Sequence, residues 1–220
     1  MQKKILQQCV EILERRPTMK CDKCVMQCAV SQMLKTRSEQ NWSVIDATDP
    51  SVQALLTLLG IDVADNHCHQ AHELTAIHTA QQCLFITNKA KIGMAIIKSI
   101  FHFCKRQNYS SVLLVTKHKV TSFAHQSACE LSISCGVSIK SMLWTEVLFN
   151  PLLHQLSPTY KVVTKAYVLQ KKPLIKSLRL SELPKIRSAD PVVRYLGCAN
   201  GQILSITRGD GEETFRVVVG

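Results

Sequence analysis

The chain has 220 residues, 46% of them hydrophobic and 20% charged, enough apolar material for one large core or two small ones and too much for global disorder. The net charge of +11 is spread along the chain without a run of five like charges, which suits a polyanion or an acidic protein partner but not a disordered basic tail. The longest apolar runs, such as Val112–Val115, fall far short of the ~18 residues of a membrane helix, and Met1–Ile5 lacks the apolar block of a signal peptide. An intracellular protein with no membrane association is therefore expected.

Ile5, Leu6, Cys9, Val10, Ile12 and Leu13 recur with helical spacing, so a helix is predicted over 3–15, closed by Pro17. Residues 22–35 repeat the pattern through Val25, Met26, Cys28, Ala29, Met33 and Leu34. Cys21, Cys24 and Cys28 invite a zinc reading, because Cys21 and Cys24 have a two-residue spacer. No second Cys-x-x-Cys follows, and the nearest other donors, His67, Cys68, His69 and His72, lie more than 40 residues away. The same three cysteines also have the spacing of a buried helical face, where a thiol packs as a small hydrophobe. The core reading is preferred, with no metal and no cofactor expected.

Trp42–Ile45 is a candidate short strand. Asp49 before Pro50 resembles a helix start, with the helix running over 51–59 to Gly60. Residues 61–80 are polar and His-rich and read as loop with some helix. Cys83–Thr87 is a short apolar run suited to a buried strand. A helix follows over 92–107, its apolar side carrying Ile96, Ile97, Ile100, Phe101 and Cys104. Asn108–Ser110 makes the exit turn, Ser111–Thr116 a second strand, and 121–134 a helix capped by Thr121 or Ser122 and closed by Gly136. Val137–Ile139 is a third strand. This β-α-β-α-β alternation predicts an α/β domain with a small, mostly parallel sheet and flanking helices. The glycine-rich phosphate loops, nucleophile elbow and zinc-protease helix that such domains often carry are missing.

Near Phe149–Pro151 the pattern changes to short strands separated by turns: Lys161–Thr164, then 203–207 and 214–219 flanking Gly209-Asp210-Gly211, a hairpin turn. Residues 165–178 look helical, interrupted by Pro173. Two domains are expected, residues 1–143 and a small α+β domain over 144–220.

Three ordered segments stand out in the second domain: His154-Gln155-Leu156-Ser157-Pro158; Leu183-Pro184-Lys185-Ile186; and Asp190-Pro191-Val192-Val193-Arg194-Tyr195-Leu196-Gly197, followed by Gly201-Gln202-Ile203-Leu204 and Arg208. In order and spacing they resemble the fifth subunit of eukaryotic nuclear RNA polymerases and its single-domain archaeal relative. Upstream, Lys91-Ile92-Gly93 through Cys129-Glu130-Leu131 is similar to the same family, whereas 42–82 matches poorly and 61–80 looks like an insertion. The chain departs from the family at Tyr160, where a second histidine is usual, at Pro173, and in a shorter final hairpin.

The resemblance implies a non-catalytic, divergent subunit shared among polymerases. Its C-terminal assembly domain would dock on the largest subunit beside neighbouring small subunits. Its N-terminal domain would form part of the lower jaw near downstream duplex DNA. It also implies the nucleus, or the cytoplasm for a viral lineage or a cell without a nucleus. The residues carried over for docking are His154, Pro158, Pro184, Asp190, Pro191, Arg194 and Arg208. The residues nearest DNA would be Lys117, His118, Lys119, Thr121 and Ser122. Lysines, hydroxyls and a helix start can meet phosphates weakly and without reading sequence; the alternative is an exposed basic turn. Asp190 could instead cap a turn or short helix; Tyr195 is read as a core residue, and Arg194 could equally meet an acidic partner or pair with Asp190. A free nucleic-acid- or zinc-binding transcription regulator built from the same domains is the competing function.

Overall fold

The structure is a computed structural model that describes residues 22–37, 43–45, 49–61, 76–171 and 179–220. The chain divides into two units, one ending at Leu148 and the other running from Phe149 to Gly220. The sequence reading put the division at 143/144; Trp144–Leu148 is a short helix that packs with the first unit.

In the first unit the elements in order are α1 (Asp22–Thr36), β1 (Ser43–Val44), α2 (Pro50–Leu58), β2 (Ala76–His78), β3 (Gln82–Thr87), α3 (Met94–Arg106), β4 (Ser111–Thr116), α4 (Ser122–Cys135), β5 (Ser138–Leu143) and α5 (Trp144–Leu148). The strands lie in the order β1-β2-β3-β4-β5. β3, β4 and β5 are parallel, in the register Phe85, Leu114, Ser141. Five consecutive residues of β3, Cys83 to Thr87, are buried, as expected of a strand covered on both faces. Cys83, Phe85, Val112 and Leu114 share one core with Val52 and Leu55 of α2, Ile97 and Ile100 of α3, and Ala124 of α4. α1 packs against α5. The Arg106 guanidinium binds the Asp49 carboxylate, tying the start of α2 to the end of α3.

The expectation of a mostly parallel sheet needs correction. β2 pairs antiparallel with β3, and β1 antiparallel with β2, so the sheet is mixed. Within 61–80, read as loop and helix, Ala76–His78 is a strand. It is too short for its own periodicity to reveal, and it forms because the free edge of β3 offers it a ladder. Residues 62–75 lie outside the described residues, as does the helix predicted over 3–15.

The capping of α4 follows the sequence closely. Thr121 Oγ1 accepts from Ala124 N–H at 3.3 Å, and Gly136 closes the helix at φ +72°, a left-handed conformation that costs glycine little.

The second unit contains β6 (Thr159–Val163), α6 (Lys165–Lys171), a 3-10 turn (Leu180–Glu182), β7 (Lys185–Arg187), α7 (Pro191–Leu196), β8 (Ile203–Thr207) and β9 (Glu213–Val219). The sheet order is β6-β8-β9-β7, with β7 alone running parallel to its neighbour. Val193 and Leu196 of α7 pack on one face of the sheet with Leu204, Ile206 and Val218. Val168 and Tyr167 of α6 pack on the other face with Ile203 and Phe215. The helix predicted over 165–178 ends among the described residues at Lys171; 172–178 lie outside them. β7 and α5 had no signal in the sequence reading.

Candidate docking and nucleic-acid faces

In the second unit the segment Leu183–Tyr195 folds from the inside out. Pro184 is exposed, but its carbonyl accepts from Val217 N–H at 2.9 Å and so delivers β7 to the edge of the sheet. Lys185 and Arg187 point to solvent, while Ile186 packs against the α7 core. Ser188 N–H then donates to Val219 O at 2.7 Å, and the chain turns into Asp190.

Asp190 caps α7. Its Oδ1 accepts from Val192 N–H at 2.9 Å, and its backbone carbonyl accepts from Arg194 N–H at 2.9 Å. Pro191 occupies the first helical position, where its missing N–H costs nothing. Gly197 ends the helix at φ +72°. Of the two readings the sequence left open, the cap is the one seen, and Tyr195, 1% exposed, is a core residue. Arg194 is half-buried in the last turn of α7, where a cation is favourable.

The remaining docking candidates gather where β6 begins and β8 ends, since Thr159 lies opposite Thr207. His154 is exposed and its Nδ1 accepts from Leu156 N–H at 3.2 Å, shaping the turn that leads to half-buried Pro158. Arg208 is exposed and its backbone closes the β8–β9 hairpin through Glu212 O at 3.1 Å. Around this turn three apolar side chains face solvent: Phe149 (61% exposed), Leu153, and Leu156 (85% exposed).

Tyr160 connects the two groups. Burial pushes its phenol above the usual range and the Asp190 carboxylate adds to this, while Arg216 and Arg208 oppose it. The sequence reading marked Tyr160 only as a departure from the family. Arg216 and the exposed apolar trio were missed altogether; the run Phe149–Leu156 was the available signal.

On the opposite face Glu213 accepts from the hydroxyls of Ser205 and Tyr167, with Lys171 Nζ 4.0 Å from its other oxygen. The Ser205 hydrogen bond is the main reason its carboxyl lies below the ordinary range; Tyr167, Lys171 and Lys161 reinforce it against a burial effect of opposite sign.

In the first unit the DNA-proximal candidates occupy the β4–α4 loop, at the carboxyl end of the parallel strands. Lys117, His118, Lys119 and Ser122 are exposed. Thr121 is committed twice, as the α4 cap and through its N–H, which donates to Ile92 O at 3.2 Å. Lys117 Nζ stands over the Trp144 ring, 5.4 Å from its centroid, a contact the sequence reading missed. The loop after β3 places Lys89 and Lys91 at the same end of the sheet, with Lys89 Nζ bonded to Leu58 O.

Among the described residues no three His, Cys, Asp or Glu side chains are grouped to hold a metal. Cys28 is half-buried on α1; Cys21 and the Cys24 side chain lie outside the described residues. Cys83 and Cys104 are both buried, with sulfurs 3.7 Å apart, and their mutual hydrogen bond and burial push the Cys83 thiol far up. No helix among the described residues is long and apolar enough to cross a membrane.

The capped Asp-Pro helix, the edge strand entered from Leu-Pro, and the hairpin closed at Arg208 form one domain, and the family described as RNA polymerase Rpb5, C-terminal domain, matches it over residues 149–219. That segment belongs to the Rpb5 C-terminal domain family. The Rpb5-type domain has named relatives. The chain is 30% identical over 125 residues to the DNA-directed RNA polymerases I, II, and III subunit rpabc1 of Dictyostelium discoideum, covering 57% of this chain and 63% of the relative. It is 32% identical over 145 residues to the corresponding subunit RPABC1 of Caenorhabditis elegans, covering 63% and 66%. It is 33% identical over 107 residues to the DNA-directed RNA polymerases IV and V subunit 5B of Arabidopsis thaliana, covering 48% and 46%. The chain thus spans just under two thirds of the length of the first two relatives, of which it is a divergent relation.

Proposed function

We propose that this chain is a non-catalytic structural subunit of a DNA-directed RNA polymerase, acting in the nucleus. Its domain over 149–220 docks on the largest subunit beside small ones, and its β4–α4 loop lies in the lower jaw near downstream DNA. The observation that carries the reading is the Rpb5-type domain, matched along nearly all of its length. The exposed trio Phe149, Leu153 and Leu156 beside His154 supports a docking role, because apolar side chains clustered at a surface turn favour burial against a partner. For the loop, exposed Lys117 and Lys119 at the start of a 14-residue helix support weak, salt-dependent phosphate contact without base reading.

The test is co-purification. Tagged protein from its native cell is expected to bring down the largest polymerase subunit. Arg194→Glu is expected to reduce that recovery more than Lys117→Glu. If no largest subunit is recovered, the assembly reading fails; if the two substitutions act equally, the docking face does not include α7.

A further inference from the structure

Helix α4 turns Ala124, Ser127 and Ala128 into the core of the first unit, which leaves His125 and Cys129 on its solvent side. Residues four apart on a helix lie one above the other. Here the two side chains meet: Cys129 Sγ and His125 Nδ1 are 3.8 Å apart, within reach of a thiol hydrogen bond. With the imidazole proton on Nε2, the thiol donates and Nδ1 accepts. Neither side chain has another partner among the described residues, so nothing else draws the imidazole away from the sulfur.

The same helix supplies a contrast. Cys135 is also exposed, but the neighbour of its sulfur is the Ser134 hydroxyl at 3.5 Å, which donates to the Glu130 carbonyl at 2.9 Å. A hydroxyl takes no proton from a thiol at neutral pH, whereas an imidazole does. The thiolate is the attacking form of cysteine, and an adjacent imidazole is a common means of drawing the proton off. Cys129 therefore combines exposure with contact to a base, and Cys135 has exposure alone.

We propose that Cys129 is a covalent modification site, a nucleophilic thiol that takes small-molecule disulfides, with His125 receiving its proton. The Cys129 sulfur attacks one sulfur of the disulfide, whose S–S bond breaks as the new bond to Cys129 forms. The other half leaves as a thiolate and collects the proton held on His125. One disulfide is exchanged for another, so no further oxidant or reductant is required. The product is a mixed disulfide on the solvent side of α4. This chemistry uses only the two side chains and is independent of the polymerase reading.

The experiment uses the full, folded, reduced chain with oxidised glutathione in excess at pH 7. Samples are quenched in acid, and the adduct at each cysteine is quantified by peptide mass spectrometry to give initial rates. Cys129 is expected to form its adduct about five- to tenfold faster than Cys135. His125→Gln keeps a polar side chain of similar size without a base. It is expected to bring Cys129 down to the Cys135 rate and to leave Cys135 unchanged. Cys129→Ser is expected to remove the fast adduct, again with Cys135 unchanged. Equal rates at Cys129 and Cys135 in the unaltered chain overturn the inference. So does a fast Cys129 that survives His125→Gln, since exposure alone then accounts for it. A parallel change at Cys135 in His125→Gln overturns it as well, because the substitution then acts through the helix and not through the pair.

Discussion

Replacing Asp190 tests the docking domain at the point where sequence and structure meet most closely. Helix α7 has six residues, and its first turn exposes few backbone donors. Pro191 has none, Val192 N–H is met by Asp190 Oδ1 at 2.9 Å, and Arg194 N–H by the Asp190 carbonyl. Asp190→Ala removes the only side-chain bond in this set and is expected to cost about 1 kcal/mol, the usual value of such a cap. For a domain of this size, unfolding as its own unit, that lowers the melting temperature by about 4–8 °C. Asp190→Asn keeps the capping oxygen and is expected to stay within a few tenths of a kcal/mol of the unaltered protein.

A second measurement separates cap from charge. The Asp190 carboxylate helps hold the Tyr160 phenol neutral, after burial, so both substitutions are expected to lower the Tyr160 titration seen by ultraviolet absorbance. Because Tyr160 titrates above its unfolded value, its contribution is fully present at neutral pH. It is lost as pH rises from about 10 through the folded value. Both substitutions should therefore narrow that window and reduce the stability lost on going from neutral to alkaline pH. Equal destabilisation by Ala and Asn, measured by thermal unfolding at pH 7, would refute the capping argument. An unmoved phenol titration in both would refute the charge argument.

Other consequences can be checked in the same way. Glu213 is held below its ordinary range, chiefly by the Ser205 hydroxyl, so its stabilisation is present above the unfolded carboxyl value and fades as pH falls below about 4. Glu213→Gln should therefore lower the melting temperature at pH 7 and converge with the unaltered protein in acid. Thiol labelling of the native protein, mapped by mass spectrometry, should modify exposed Cys129 and Cys135 quickly and reach Cys83 and Cys104 only on unfolding. Gly136 sits at φ +72° with open space where a Cβ would be, so Gly136→Ala should cost about 1–2 kcal/mol from backbone strain alone, read from denaturant midpoints.

Much of the candidate docking surface could be read along the chain because its signals are local. Asp190 followed by Pro191 specifies a helix start within three residues, and the Gly-Asp-Gly turn specifies a hairpin within five. The helices over 94–106 and 122–135 announce themselves by periodicity and by Thr121 and Gly136. The strands Cys83–Thr87 and Ser111–Thr116 show as apolar runs because both of their faces are covered. Where the sequence was silent, the deciding interactions join residues far apart in the chain. β2 and β7 have three residues each and exist only because β3 and β9 offer open edges. Trp144 carried no signal of its own; the register of β4 and β5 brought its ring beside Lys117. Tyr160 looked like a simple departure from the family, and its role emerged only when the fold gathered Asp190, Arg208 and Arg216 around its phenol. Caps, turns and amphipathic faces are written within three or four residues and so belong to the sequence; edge pairing, burial and electrostatic neighbourhoods depend on chain closure over long separations and belong to the tertiary structure.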